Sequence, residues 1–269
     1  MIGHREIAAA KLNLALHVRG KLPDGRHRIE TVFAFCNDGD RLTADPADIL
    51  TLATSGLFAV DLGPTEDNLA LRAARALQAA AGVADGAAIH LDKRLPVASG
   101  IGGGSADAAA TLRLLTSLWH IDPRHAAEVA PALGSDVPAC LLSLTARGEG
   151  AGDELSLINP EGISGVPVLL ANPRVALATA DVFARWNGID QGPLGDWRAG
   201  NNGLDSTAIA LVPQIETVLA WLQAQPGANF VRLSGSGATC FALFDSEEQR
   251  DRATEAVPRE WWHLATSLR

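Results

Sequence analysis

The chain has 269 residues, 47% of them apolar, and a formal net charge of −9. That length can hold one large domain or two ordinary ones around a real core, and the composition is globular, not disordered. The acidic balance argues against non-specific nucleic-acid binding, which needs a basic face, but a local pocket can still take a small anion. Cys36, Cys140 and Cys240 are widely spaced with no C-x-x-C. Neither a disulfide framework nor a zinc site is expected, and a reducing cytoplasm suits them. Met1 to Lys11 shows no long apolar segment of a secretion signal. No run reaches the roughly 18 apolar residues of a membrane helix.

From Leu12 the sequence alternates, with Leu12, Leu14, Leu16 and Val18 on one face and Lys11, Asn13, Ala15 and His17 on the other. This predicts a strand with one buried side, and by chemistry alone the Lys11 face is solvated. Pro23-Asp24-Gly25 is a turn, and a strand follows over Ile29–Phe35. Gly39-Asp40 leads into short strand-like runs at 41–43 and 49–53. A helix opens near Thr65, with Asp67 as expected cap, a stripe of Leu69, Ala73, Ala76, Leu77 and Ala80, and Gly82 as stop. Residues 88–92 read as a strand. Ala108, Leu112, Leu115 and Trp119 form a helical stripe. The stretch between them contains Gly100, Gly102, Gly103 and Gly104. Such a strand-to-helix turn bares backbone N–H groups, and the helix adds the positive end of its dipole, so the expected ligand is a phosphate chain. Ser105 and Asp107 are the expected caps. No Gly-Lys-Ser/Thr is present, and Ser105 stands where a third fingerprint glycine would fall, so neither the P-loop nor the dinucleotide form fits.

Further on, Asp122 caps and Pro123 opens a helix that Gly134 ends, with Pro131 bending or shortening its last turn. Asp136 stands at a turn before an apolar run, where an aspartate ordinarily caps. A turn-rich hairpin over 146–155 is followed by the expected domain boundary, giving domains 1–158 and 159–269. The second half reads as a strand at 166–171, a helix capped by Thr179, and a loop over 191–200. A long helix then runs to Gln225, kinked at Pro213. A strand–glycine turn–strand over 230–244, a charged helix at 246–257 and a strand at 261–267 complete it. That order suggests a ferredoxin-like layer.

Pro96-Val97-Ala98-Ser99-Gly100-Ile101-Gly102-Gly103-Gly104-Ser105-Ala106 resembles the P-x-x-x-G-[LI]-G-[GS]-[GS]-S-[SA] loop of the GHMP kinases, the superfamily of galactokinase, homoserine kinase and mevalonate kinase. Gly134-Ser135-Asp136-Val137-Pro138 resembles that family's G-[AS]-D-V-P segment, and Ser234 to Thr239 its third motif. The resemblance spans nearly the whole chain. It implies an α+β, two-domain GHMP kinase fold, with an N-terminal domain containing a left-handed βαβ unit (ribosomal-protein-like) and a C-terminal ferredoxin-like domain. It implies ATP and Mg²⁺ as cofactors, with residues 96–106 and Asn68 at the nucleotide and Lys11 and Asp136 as catalytic residues.

Ala10-Lys11-Leu12-Asn13-Leu14 and Asp24-Gly25-Arg26-His27 are similar to segments of one GHMP branch. Members of that branch phosphorylate the 2-hydroxyl of 4-diphosphocytidyl-2-C-methyl-D-erythritol on the non-mevalonate route to isoprenoid precursors. The resemblance implies Asn13, Arg26, His27, Thr179 and Phe183 as substrate contacts. Ala9 stands where the branch has proline, and Arg26 where it has the aromatic partner of His27 at cytosine. A planar guanidinium can stack on a base. The implied partner is a small molecule and neither nucleic acid nor membrane, for a cytoplasmic monomer or homodimer. A homoserine- or mevalonate-type kinase is one alternative, but those lack D-G-x-H. A non-catalytic GHMP-fold binding protein is another, but it would be expected to lose Lys11 or Asp136.

Phosphoryl transfer needs a cradle for the triphosphate, neutralised charge and an acceptor for the hydroxyl proton. The glycine loop supplies the first, with Ser105 as a hydroxyl for a phosphate or its Mg²⁺. Asp136 would take the proton. Lys11 would keep Asp136 ionised and stabilise charge at the γ-phosphate.

Overall fold

The computed structural model describes residues 4–269; residues 1–3, at the start of the stretch read for a leader, lie outside it. In chain order the elements are β1 (His4–Lys21), β2 (His27–Ala47), β3 (Thr51–Ser55), α1 (Leu69–Ala81), β4 (Gly86–Asp92), α2 (Gly103–Leu118), α3 (Arg124–Leu133) and α4 (Val137–Leu142). There follow β5 (Ala146–Glu149), β6 (Glu154–Leu157), β7 (Pro167–Asn172), α5 (Thr179–Ala184), α6 (Asp205–Leu211), α7 (Gln214–Gln223), β8 (Ala228–Leu233), β9 (Cys240–Phe244), α8 (Glu247–Glu255) and β10 (Trp262–Ser267). The chain forms two compact units, each discontinuous in sequence. The first comprises the stretch ending at Ala10, Asp38–Val97 and Gly102–Ser143; the second comprises Lys11–Asn37, Ala98–Ile101 and Leu144–Arg269.

In the first unit the end of β2 pairs antiparallel with β4, Arg41 opposite Asp92 through Ala47 opposite Gly86. β3 pairs parallel with β4, and α1 makes the crossover that a parallel pair requires. The helices pack through small residues: Ala70, Ala73 and Ala74 of α1 and Ala108, Ala109 and Ala110 of α2 are all buried. The buried face of α1 carries Ala70, Leu71 and Ala74 as well as Ala73 and Leu77, so it is rotated from the expected stripe. Gly39 and Asp40 do not break β2. A Cβ at Gly39 would lie 1.9 Å from the Ala8 carbonyl oxygen, so glycine lets β1 pass close by. Asp40 is buried because it has hydrogen-bond partners to satisfy it, given below.

Several helix starts differ from expectation. Asn68, not Asp67, caps α1, its Oδ1 accepting from Ala70 N–H at 2.9 Å. Ser105 and Asp107 lie inside α2, whose N-cap is Gly102 in the left-handed region at φ 66°. Thr179 is the first residue of α5 rather than its cap. Asp122 does accept from the Arg124 N–H at the start of α3, at 2.9 Å. Gly82 ends α1 in the left-handed conformation. Pro213 does more than kink: it splits the expected long helix into α6 and α7, since it lacks an N–H and crowds the preceding turn.

The second unit holds a four-stranded antiparallel sheet in the order β10-β7-β9-β8. Numbered by appearance the order is fourth, first, third, second, which with α7 and α8 as crossovers is the ferredoxin-like layer. Leu169, Ala171, Ala242 and Phe244 of the sheet share a core with Ile215, Val218 and Leu222 of α7. The expected hairpin is β5–β6, and β5 also pairs with β2, Thr31 opposite Gly148. Cys36, Cys140 and Cys240 are buried thiols.

Candidate active site

The glycine loop runs from the end of β4 to the start of α2. Within the second unit, four successive carbonyls of the loop accept hydrogen bonds. Ala98 O accepts from Leu177 N–H at 3.0 Å, Ser99 O from Thr239 N–H at 3.1 Å, Gly100 O from Ser234 Oγ at 3.0 Å and Ile101 O from Lys11 N–H at 3.0 Å. In a trans peptide the N–H points opposite to the carbonyl. Pinning these oxygens therefore turns the N–H groups of Ser99, Gly100, Ile101 and Gly102 the other way. Gly100 has φ 78°, and a Cβ there would lie 2.3 Å from Ser234 O and 2.6 Å from Gly237 N. Only glycine allows that approach.

The 234–239 turn is itself anchored. Asn202 Nδ2 donates to Leu233 O at 2.9 Å and to Gly235 O at 2.7 Å, and Asn172 Nδ2 donates to Thr239 Oγ1 at 2.8 Å. In the first unit, the ladder of α2 begins with Ala106 N–H donating to Gly102 O at 2.8 Å. The N–H groups of Gly103, Gly104 and Ser105 thus have no acceptor within their own helix and sit at the positive end of its dipole. A Cβ at Gly104 would meet nothing within 4 Å.

Lys11 and Asn13 are not on a solvated face: they are 4% and 2% exposed. Lys11 Nζ donates to Asn13 Oδ1 at 2.9 Å and lies 5.5 Å from the ring centroid of Phe33. Asn13 Nδ2 donates to Thr31 Oγ1 at 2.8 Å, and Thr31 Oγ1 donates to Ala15 O at 2.7 Å. Asp136 belongs to the first unit. It holds the N-cap position of α4, but its side chain makes no capping hydrogen bond, so the ordinary role for an aspartate there is not the one it plays.

Sequence reasoning missed a charged cluster in the first unit. Lys93 Nζ donates to Asp40 Oδ2 at 2.5 Å and to Asp107 Oδ2 at 2.6 Å, with all three residues at most 2% exposed. Asp40 Oδ1 accepts from the N–H groups of Arg94 and Leu95, at 2.6 and 2.8 Å. Burial pushes the Asp107 carboxyl up to about 8 against the opposing pull of Lys93. Its Oδ1 is buried without a hydrogen-bond partner. The cluster ties the entry of the glycine loop to the first turns of α2.

In the second unit, His27 lies against Phe183, ring centroids 4.7 Å apart, and edge-on to Trp186 at 5.5 Å. His27 Nε2 and Trp186 Nε1 are both buried without hydrogen-bond partners. Burial and the charge of Lys21 hold the imidazole pKa below its usual value. Thr179 Oγ1 and Ser236 Oγ share a hydrogen bond of 2.9 Å. Arg26 is half exposed and its guanidinium donates to Asp24 Oδ2 at 2.7 Å and to Asp153 Oδ2 at 2.8 Å.

Residues 68–143 match the family described as GHMP kinases N terminal domain, and residues 188–264 match GHMP kinases C terminal. The chain belongs to the GHMP kinase family. A 4-diphosphocytidyl-2-C-methyl-D-erythritol kinase of Rhizorhabdus wittichii is 53% identical, covering 98% of this chain and 94% of that protein. One of Novosphingobium aromaticivorans is 46% identical, covering 98% and 93%. A crystal structure of 4-(cytidine 5'-diphospho)-2C-methyl-D-erythritol kinase matches at TM-score 0.84 and 32% identity over 98% of each chain. The mevalonate kinase of Methanococcus jannaschii, at TM-score 0.71 and 9% identity over 99% of this chain and 98% of that one, shares the fold.

For a GHMP kinase, the sequence motifs locate the loop, the third glycine motif and the lysine strand. Asn202 falls in a segment that loosely matches the family's N-D-L-E, but the motifs do not announce Thr31 or the Lys93 cluster, whose partners lie far away along the chain. A helix-start signal misassigned Asp107. Alternation misassigned Lys11, because it cannot tell a strand buried on one face from one buried on both. Among the described residues no helix is long and apolar enough to cross a membrane.

Proposed function

We propose that this chain transfers the γ-phosphoryl group of ATP to the 2-hydroxyl of 4-diphosphocytidyl-2-C-methyl-D-erythritol, releasing ADP and the 2-phosphate. It would act on this small molecule in the cytoplasm, as a monomer or homodimer. One observation supports the nucleotide role above the others: the carbonyls of residues 98 to 101 are each taken by a hydrogen bond within the second unit, and the first N–H groups of α2 have no acceptor within their own helix. Kinases of this substrate among the relatives are 43–53% identical over nearly the full chain.

In this reading residues 96–106 cradle the triphosphate, with Asn68 on the nucleotide side, and Ser105 offers its hydroxyl to a phosphate oxygen or to Mg²⁺. Among the described residues no group of three His, Cys, Asp or Glu could hold a metal ion. A bound Mg²⁺ would supply neutralisation of the phosphate charge, with Ser105 as the residue offered toward it. Asp136 accepts the proton of the attacking hydroxyl, and Lys11 stabilises charge on the transferred group. His27, Phe183 and Thr179 take the cytidyl end. Two aspartates already engage Arg26, so it braces its turn whether or not its planar face also meets the base.

Losing a general base costs about 10²–10⁴ in rate. Asp136→Asn should therefore lower kcat by that order while nucleotide affinity stays near wild type, checked by steady-state kinetics and direct ATP-analogue titration. The function itself is tested by a coupled ADP-release assay with the cytidyl substrate, its uridyl counterpart, homoserine and mevalonate. Turnover of the cytidyl compound well above the rest is expected. Equal or faster turnover of homoserine or mevalonate overturns it.

A further inference from the structure

The hydrogen bonds around Lys11 can be assigned without ambiguity, because each end of the chain has only one chemical option. A hydroxyl has one proton. Thr31 Oγ1 lies 2.7 Å from Ala15 O, a carbonyl that can only accept, so the proton goes there. Toward Asn13, 2.8 Å away, Thr31 can then only accept. That places the Asn13 amide nitrogen on the Thr31 side and its oxygen on the Lys11 side, 2.9 Å from an ammonium that can only donate. Asn13 and Thr31 are 2% and 0% exposed, so bulk water cannot readily replace either bond. Thr31 is also fixed in place: it sits opposite Gly148 in the β2–β5 pairing, where a Cβ at Gly148 would lie 3.2 Å from its methyl group.

We propose that Thr31 is a positioning residue for Lys11, acting through Asn13: its hydroxyl holds the amide in the place where its oxygen meets the ammonium. Without the hydroxyl the Asn13 amide N–H is left buried and unsatisfied. The Asn13 side chain then shifts toward another acceptor and carries its oxygen away from the position that helps to orient the ammonium. The proposal rests on the reading of Lys11 as a catalytic residue.

The test compares Thr31→Val, which keeps the shape and loses the hydroxyl, with Thr31→Ser, which keeps the hydroxyl. A buried bond lost with its partner left unsatisfied, together with a displaced catalytic group, implies a kcat loss of roughly 10- to 100-fold for Thr31→Val. KM for ATP should stay near wild type, and Thr31→Ser should recover most of kcat. A second arm needs no substrate: in ¹⁵N-labelled protein the Asn13 side-chain amide signals should shift in Thr31→Val and stay in place in Thr31→Ser. A Thr31→Val enzyme with wild-type kcat overturns the proposal. So does a Thr31→Ser enzyme as impaired as Thr31→Val, or unmoved amide signals. If the wild-type chain does not turn over the cytidyl substrate, the functional reading fails, and the amide signals still decide the lock on Lys11.

Discussion

Two buried lysines, one in each unit, are held in contrasting ways. Lys93 donates to two carboxylates, Asp40 and Asp107, at 2.5 and 2.6 Å. Lys11 is oriented by a neutral amide oxygen at 2.9 Å. A pair of carboxylates consumes an ammonium's charge and leaves a knot whose value is structural. A neutral amide helps to aim an ammonium and adds no charge of its own. In a kinase an aimed ammonium suits the stabilisation of developing negative charge, and a knot with two carboxyl groups suits the holding of a loop.

The sharpest way to break this contrast is to make the same substitution twice. Lys11→Met should lower kcat by about 10²–10³, the usual cost of one lost charge-stabilising donor, with a smaller loss of stability, from the buried Asn13 Oδ1 left without this donor. Lys93→Met should do the reverse. It leaves the buried Asp40 carboxylate beside the Asp107 carboxyl with no cation between them, and breaking a buried pair from one side costs about 3–5 kcal/mol. Urea unfolding reads that loss directly. The folded fraction should keep a kcat near wild type, with any remaining effect in KM for ATP, because the cluster braces the loop entry at Arg94 and Leu95. A Lys93→Met protein of normal stability but depressed kcat would erase the distinction.

The same contrast explains what could be read from the sequence. The glycine run, the ferredoxin-like order and the hairpin read over 146–155 were legible because each depends on local turn chemistry or on element order. Lys11 and Asn13 were legible as chemistry only through family resemblance, since alternation alone put them in solvent. The Lys93 knot was invisible. Its members are 53 and 14 residues apart along the chain, and a lone Asp inside a glycine-to-helix turn reads as a cap. The rotated face of α1 has a simpler cause. A helix this rich in alanine has apolar residues on most sides, so its period does not say which side is buried.

The smallest effect at neutral pH, and the finest test, belongs to Asp107→Asn. In the folded chain burial raises the Asp107 carboxyl from 3.8 to about 8, so at pH 6 to 7 it is already mostly neutral. An amide there replaces one neutral group by another of the same shape. The cost should be about 1 kcal/mol, from amide protons left where Oδ1 had no partner. The pH dependence is where the two proteins part. Between about 4 and 8 the folded wild type keeps a proton that the unfolded chain has lost, so its stability falls as pH rises through that window and levels off above it. Lys93 is also raised, because its two carboxylates outweigh burial, and it titrates above this window. The amide that Asp107→Asn introduces cannot titrate. Urea midpoints measured from pH 5 to 9 should therefore converge and then cross, the variant gaining on the wild type as the buried carboxyl is forced to ionise beside Asp40. Parallel curves would mean that Asp107 is ionised throughout, and that Lys93 balances two full negative charges rather than one.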